Sequence, residues 1–116
     1  MKRFSGYRIG IAQGESVLFS DFATGGAMWE GEGPRQTTAP VTFAEPFRSE
    51  PAVHVTLTMW DVANSANARI DVSAADVRCD GFVILFRTWG DTRVARVRVG
   101  WLAIGPVRDD EDWEVG

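Results

Sequence analysis

The residues in this sequence whose types and positions could do chemistry are a tryptophan, an arginine and several carboxylates near short turns. Trp89 ends an apolar run and is followed at once by Gly90-Asp91, and Arg69 stands before that run. A planar indole packs well against the C–H face of a sugar ring, while guanidinium and carboxylate groups make charge-assisted hydrogen bonds to hydroxyls. Such side chains could together bind a ligand that has an apolar face and several hydroxyls, as a sugar has.

Residues 67–104 contain the elements that would position these side chains. Their pattern predicts three strands with turn dipeptides between them, at Ala68–Ala75, Gly81–Trp89 and Thr92–Ile104. The middle strand is apolar at both sets of alternating positions. A strand of this kind is expected inside a sandwich or at a contact between protomers.

The part of the chain before residue 67 also favours strands. Tyr7–Ala12 and Ser16–Phe22 are short strand-like runs, and Gln13-Gly14-Glu15 between them predicts a turn, so we expect a hairpin or an arm on a neighbouring protomer. Residues 23–40 are rich in glycine and predict a loop. The two strands expected after that loop are Val41–Phe47 and Ala52–Trp60.

Six main strands, turn signals about every ten residues and no helical pattern predict an all-β fold, a six-stranded antiparallel β-sandwich. The predicted organisation is an amino-terminal arm and Gly-rich loop at 1–39, the sandwich at 40–105 and an acidic flexible tail at 106–116. A length of 116 residues suits one such domain.

Charge and cysteine content narrow the classes of function. Five of the sixteen acidic residues lie in the tail after Arg108, and the remaining eleven nearly balance the twelve basic residues, so nucleic-acid binding is not expected. No run approaches the ~18 apolar residues of a membrane span. Cys79 is the only cysteine and the amino terminus lacks an apolar signal segment. We therefore expect synthesis in the cytoplasm, with non-classical release or association with a particle.

Several short motifs occur in an order that resembles the H-type lectin domain, the family of the snail agglutinins and of the carboxy-terminal domain of the discoidins. The resemblance covers about Pro40–Gly105. The matching pieces are Asn67-Ala68-Arg69, Gly81-Phe82, Thr88-Trp89-Gly90-Asp91-Thr92 and Trp101-Leu102-Ala103-Ile104.

The resemblance implies a homotrimer that binds galactose or N-acetylgalactosamine between protomers. Family members use an Arg, a Trp and an Asp from the loop before the first sandwich strand, and Arg69 and Trp89 match the first two positions. Counting back from the sandwich strand without a gap makes Glu32 the loop acid, whereas an alignment on the loop tryptophan gives Glu30 or Asp21.

Two positions depart from the family pattern. Family members with well-described sites carry a His just after the Trp and a Tyr six residues after it, where this chain has Gly90 and Ala95. We therefore expect a shallow site. The candidate carbohydrate-binding residues are Arg69, Trp89, Glu32, Glu30, Gly90 and Asp91.

Each candidate also has a purely structural alternative. Trp89 could pack against the neighbouring turn, and Arg69 could pair with Asp61, Asp71 or Asp91. The loop residue Trp29 could close the end of the sandwich or form a second ligand wall. Arg93, Arg96 and Arg98 are expected to make structural pairs, and Trp101 is expected in the core.

An enzyme is not expected. Glu30 and Glu32 could be imagined as a glycosidase pair, but such carboxyls need a fixed separation, and a Gly-rich loop does not fix it. His54 has no evident Ser or Cys partner. The acidic tail lacks the spaced oxygen ligands and the turning glycine of a dedicated Ca²⁺ loop, so neither a metal nor a cofactor is expected.

Two classes of function remain. The first is a trimeric lectin whose partners are glycans of the galactose or N-acetylgalactosamine type. The second is a trimeric structural or attachment module, such as a spike or fibre tip of a phage-like or secreted particle, with or without glycan binding. A glycan array distinguishes them, because a negative result across many sugars leaves only the second.

Overall fold

A computed structural model describes residues 1–6 and 8–108 of the chain. Of the predicted flexible tail at 106–116, the first two residues belong to the last strand, and the part from Asp109 onward lies outside the described residues. The described part contains six strands and one four-residue helix, α1. Their bounds, in chain order, are β1 Arg8–Ser20, α1 Ala27–Glu30, β2 Arg35–Thr42, β3 Ala52–Val62, β4 Ile70–Arg78, β5 Gly81–Thr88 and β6 Val94–Val107.

The strands form two antiparallel sheets of three strands each. Sheet A has the order β1-β6-β3 and sheet B the order β2-β5-β4. The predicted six-stranded antiparallel sandwich is therefore confirmed. Among the described residues no helix is long and apolar enough to cross a membrane.

The core lies between the two central strands, β5 and β6. Phe82, Ile84 and Phe86 on β5 are fully buried, as are Val97 and Val99 on β6. Alternation sends the other β5 residues to the outer face of sheet B, where Val83 and Leu85 are half-buried and Arg87 is exposed. The apolar pattern of β5 thus serves the sandwich core with one face and a partly covered surface with the other.

The first strand corrects a prediction. Residues 13–15 continue β1 and pair with β6 in unbroken register, so the predicted turn and hairpin are wrong. Gly14 lies opposite Trp101, and a Cβ at this position would lie 2.7 Å from the indole ring. The glycine therefore marks a close approach to a ring and not a turn. Trp101 packs on Phe43 and Phe82, as expected of a core residue.

The second strand also differs from its prediction. Residues 23–40 are not one loop, because they include α1 and most of β2, which begins at Arg35. The strand predicted at Val41–Phe47 ends already at Thr42. β2 is an edge strand, and an edge position tolerates Pro40. Every second residue of β2 is exposed, so its sequence is too polar to be recognised as a strand. Residues before 40 thus supply the whole of β1 and more than half of β2.

The loops at one end of the sandwich are held together by Arg35, the first residue of β2. Its guanidinium donates to five backbone carbonyl oxygens from three stretches of chain. The acceptors are Gly33 at 3.0 Å, Met28 at 3.1 Å, Ala27 at 3.3 Å, Thr92 at 2.7 Å and Gly90 at 3.4 Å. We call this set of bonds the Arg35 clamp. It joins α1 and the Gly-rich segment to the turn between β5 and β6.

The clamp makes Arg35 important for stability. Arg35→Met is expected to lower the free energy of unfolding by about 1–3 kcal/mol, because it leaves several carbonyl groups without a donor, three of them partly shielded from water. Arg87→Met is the control, since Arg87 is exposed on the adjacent strand, and should change stability by less than about 0.5 kcal/mol. Urea unfolding measures both, and equal losses would contradict the role of the clamp.

Candidate functional site

Arg69 and Asp91 form an ion pair at the end of the sandwich that the Arg35 clamp holds. Nη1 of Arg69 lies 2.7 Å from Oδ1 of Asp91, and both side chains remain partly exposed. Among the partners that the sequence allowed for Arg69, the structure thus selects Asp91. Asp61 instead pairs with Arg96, with 3.3 Å between Nε and Oδ2.

The surroundings of Asp91 favour its ionised form. Partial desolvation raises the pKa of Asp91, but hydrogen bonds from its own backbone N–H and from Arg69 lower it, and the net effect is a pKa below the usual value. The carboxylate is therefore charged across the physiological pH range. It orients the Arg69 guanidinium, which has five N–H donors and keeps several of them for other partners.

Two buried threonines fix the backbone of Arg69. The Thr92 hydroxyl accepts from the Arg69 N–H at 3.0 Å and donates to the Asn67 carbonyl at 2.6 Å. The Thr88 hydroxyl donates to the Arg69 carbonyl at 2.6 Å. The two motifs found in the sequence, one around Arg69 and one around Trp89, are thus hydrogen-bonded to each other.

Gly90 sits against the Arg69 guanidinium. Its φ is +69°, a conformation that side chains with a Cβ rarely adopt, and a Cβ there would lie 3.2 Å from Nη1 of Arg69. An aromatic residue at this position would therefore be strained. Ala95 is buried, and its carbonyl accepts from the backbone N–H of Asp21. Neither position presents a ring to a ligand.

Trp89 lies at the rim of the sandwich with 44% of its surface exposed. Its ring borders an open cleft of about 340 Å³ between the ends of β2 and β5, which we call the Trp89 cleft. The other residues that line the cleft are Pro34, Arg35, Gln36, Arg87 and Thr88. A planar ligand face can reach the indole from this cleft.

The three candidate loop acids have different surroundings. The carboxylate of Asp21 accepts from the backbone N–H of Met28 at 3.0 Å, so it holds the start of α1. Glu30 and Glu32 are both exposed. Glu32 precedes Gly33, whose N–H donates to the Gly90 carbonyl at 2.9 Å. Of the three acids, Glu32 is thus the one whose backbone adjoins the turn that carries Trp89.

Trp29 helps to close this end of the sandwich. The guanidinium carbon of Arg93 lies 4.7 Å from the centre of the Trp29 ring, and Nε of Arg93 donates to the Trp29 carbonyl at 2.8 Å. Phe22 contacts the ring edge to face at 4.9 Å. Structural pairing is confirmed for Arg93, and likewise for Arg96 with Asp61 and for Arg98 with Glu15 and Thr58.

The sequence analysis missed the residues that face Trp89 across the cleft. Gln36 lies opposite Arg87 in the pairing of β2 with β5, a contact that depends on the correct start of β2. Pro34 at the end of the Gly-rich segment was the available signal for that start. In the described ranges 1–6 and 8–108, no group of three or more His, Cys, Asp or Glu residues could hold a metal ion.

Comparison with known proteins gives several relatives. A protein of Fuscovulum blasticum named ATP synthase subunits region ORF 7 is 57% identical over 110 residues, which cover 95% of this chain and 96% of that protein. A discoidin-1 chain of Dictyostelium discoideum is 30% identical over 78 residues, which cover 66% of this chain and 31% of that protein.

A solved structure has the same fold. Discoidin II of Dictyostelium discoideum superposes with a TM-score of 0.75 at 21% identity, over 93% of this chain and 40% of that chain. The chain therefore spans less than half the length of the two discoidins.

The family assignment rests on a match that covers more than half of the chain. Residues 38–104 match the family model of the H-type lectin domain, which agrees with the stretch where the motifs occur. The chain therefore belongs to the H-type lectin domain family, whose members are carbohydrate-binding modules and not enzymes.

Proposed function

We propose that this protein is a lectin for galactose- or N-acetylgalactosamine-type sugars, with Trp89 as the apolar wall of the site. The observation that carries the proposal is the indole of Trp89, 44% exposed at the sandwich rim, on the turn whose Asp91 pairs with Arg69. The exposed indole offers a flat apolar surface beside hydrogen-bonding groups, which is what the C–H face and the hydroxyls of a sugar need. Membership in a family of carbohydrate-binding modules supports the same assignment.

The chemistry suits a galactose-type ring. Its axial 4-hydroxyl leaves one continuous C–H face, which stacks on the Trp89 indole. The Arg69 guanidinium, oriented by Asp91, donates to ring hydroxyls through the N–H groups that Asp91 does not use. Glu32, or Glu30 in its place, accepts from the 3- and 4-hydroxyls. Gly90 offers no side chain, so a ligand can come close to the backbone of the turn.

We further propose that three copies assemble and that each site lies at a contact between two of them. Sheet A supports this arrangement, because Ile9, Ile11 and Val17 on β1 are about half or more exposed. Ile11 lies beside Ile104 of β6, which gives the outer face of sheet A an apolar row. Closed cyclic symmetry is the usual way in which soluble homo-oligomers cover such a face.

A trimeric attachment module would use the same apolar row of sheet A for assembly. An attachment module is therefore the second candidate function. Sugar binding separates the two candidates. With no ring at Gly90 or Ala95, a single site should have a dissociation constant near 1 mM, or about −4 kcal/mol. Three such sites on a rigid trimer would recover useful avidity on a dense glycan surface.

The trimer is tested by mass. Light scattering should give about three times the chain mass of 12.8 kDa. Ile11→Glu should lower that mass, because it puts a charge into the apolar row on β1. Thr38→Glu, at an exposed position of sheet B, is the control and should leave the mass unchanged. A wild-type mass near that of one chain would contradict the assembly.

The sugar site is tested by titrating galactose, N-acetylgalactosamine and glucose into the protein, with binding followed by calorimetry. The two galactose-type sugars should bind and glucose should bind more weakly. Trp89→Ala should abolish binding, whereas Trp60→Ala, which removes another exposed tryptophan, should retain it. No response to any sugar at tens of millimolar, or full binding by Trp89→Ala, would rule out the proposed site.

The loop acid is tested in the same titration. Glu32→Gln should weaken binding by roughly 1–3 kcal/mol, as expected when a hydrogen bond to a charged group is lost. Glu45→Gln is the charge-matched control at an exposed position after β2. Equal affinities for the two variants would remove Glu32 from the site.

A further inference from the structure

The Trp89 cleft carries more positive charge than a neutral sugar needs. Of the six residues that line it, two are arginines, Arg35 and Arg87, and none is acidic. The amide of Gln36 adds further hydrogen-bonding groups on the side of β2. The cleft is thus locally cationic, although the chain as a whole has a net charge of −4.

The two arginines in the cleft have different partners. The Arg35 guanidinium donates to backbone carbonyls, so its N–H groups are already occupied. Because carbonyls carry no net charge, the positive charge of Arg35 is not compensated. Arg87 makes no ion pair or side-chain hydrogen bond within residues 1–6 and 8–108. Asp71 lies opposite it on β4, across β5 from the cleft, and the two charged groups do not come within ion-pair distance.

Four other arginines in the described ranges are each paired with an acid, whereas Arg87 is not. Arg69, Arg78, Arg96 and Arg98 each have a carboxylate oxygen within 4 Å. An exposed guanidinium without such a partner, beside an exposed indole, offers a planar two-pronged donor to an anion. Carboxylate and sulfate groups match this geometry.

The spacing of Arg87 and Trp89 suits one ligand that uses both. Arg87 is the last but one residue of β5 and Trp89 follows β5 directly, and residues two apart in extended chain lie on the same face and about 7 Å apart. A charged group on a sugar ring projects over only part of that distance, and the long, exposed Arg87 side chain can span the rest. A ring stacked on Trp89 can thus direct its substituent toward Arg87.

We propose that the Trp89 cleft binds a sulfate or carboxylate substituent of the sugar that stacks on Trp89, with Arg87 as its partner and Gln36 beside it. The inference rests on the proposed lectin function and adds the ligand class, an acidic galactose-type sugar. The clamped Arg35 contributes positive potential and no direct contact.

The test compares neutral and acidic ligands of one ring type. Methyl galactoside, galactose 3-sulfate, galactose 6-sulfate and galacturonate are titrated into wild type at low and at high salt. At least one acidic sugar should bind about tenfold more tightly than the neutral one, the scale of one charge-assisted hydrogen bond. The preference should shrink as salt is added. The sulfates and the uronate distinguish the two anionic groups.

The variants assign the preference to Arg87. Arg87→Gln should reduce the ratio of acidic to neutral affinity to about one. Arg78→Gln removes the same charge at the end of β4, opposite Gly81 and thus far along β5 from the cleft, and should keep the ratio of the wild type. Thermal melting checks that both variants remain folded.

Each outcome bears on a different proposal. Equal binding of acidic and neutral sugars by wild type would overturn the acidic-sugar inference and leave the lectin proposal intact. Equal loss of preference in Arg87→Gln and Arg78→Gln would reduce the effect to net charge and also overturn the inference. Absence of binding by every sugar, neutral and acidic, would overturn both proposals together.

Discussion

The arrangement of this site depends on one guanidinium. Arg35 stands at the start of β2 and bonds to carbonyls of α1, of the Gly-rich segment and of the turn after β5. Because all its acceptors are backbone atoms, the clamp constrains the path of the chain and not the side chains that the loops present. A lysine could not replace it, since only a planar fork with five donors reaches so many acceptors at once.

In the motif around Trp89, the two threonines that flank the exposed residues make the structural hydrogen bonds. Thr88 and Thr92 are buried and tie the turn to the Arg69 segment, while Trp89, Gly90 and Asp91 between them lie at the surface. The two anchors hold the course of the turn, and within that course the positive φ of Gly90 disfavours the ring that the family pattern has at this position.

The sequence allowed β3 to β6 to be predicted closely, because their alternation and turn dipeptides are local signals. It failed for β1, where Gly14 makes room for Trp101, a contact that pairing with β6 creates. For the candidate site, the motifs predicted Arg69 and Trp89, which the structure places at the same end of the sandwich. The sequence did not single out the contacts of Arg35 or the position of Arg87 in the Trp89 cleft, because both follow from the pairing of β2 with β5.

The order that the Arg35 clamp imposes also affects how binding would proceed. Hydrogen bonds within the chain already fix α1, the segment before β2 and the turn that carries Trp89. A ligand that reaches this end of the molecule therefore meets surfaces whose conformational entropy was lost during folding. Association should proceed in one step without rearrangement of the backbone, and differences in lifetime, more than differences in capture rate, should separate good ligands from poor ones.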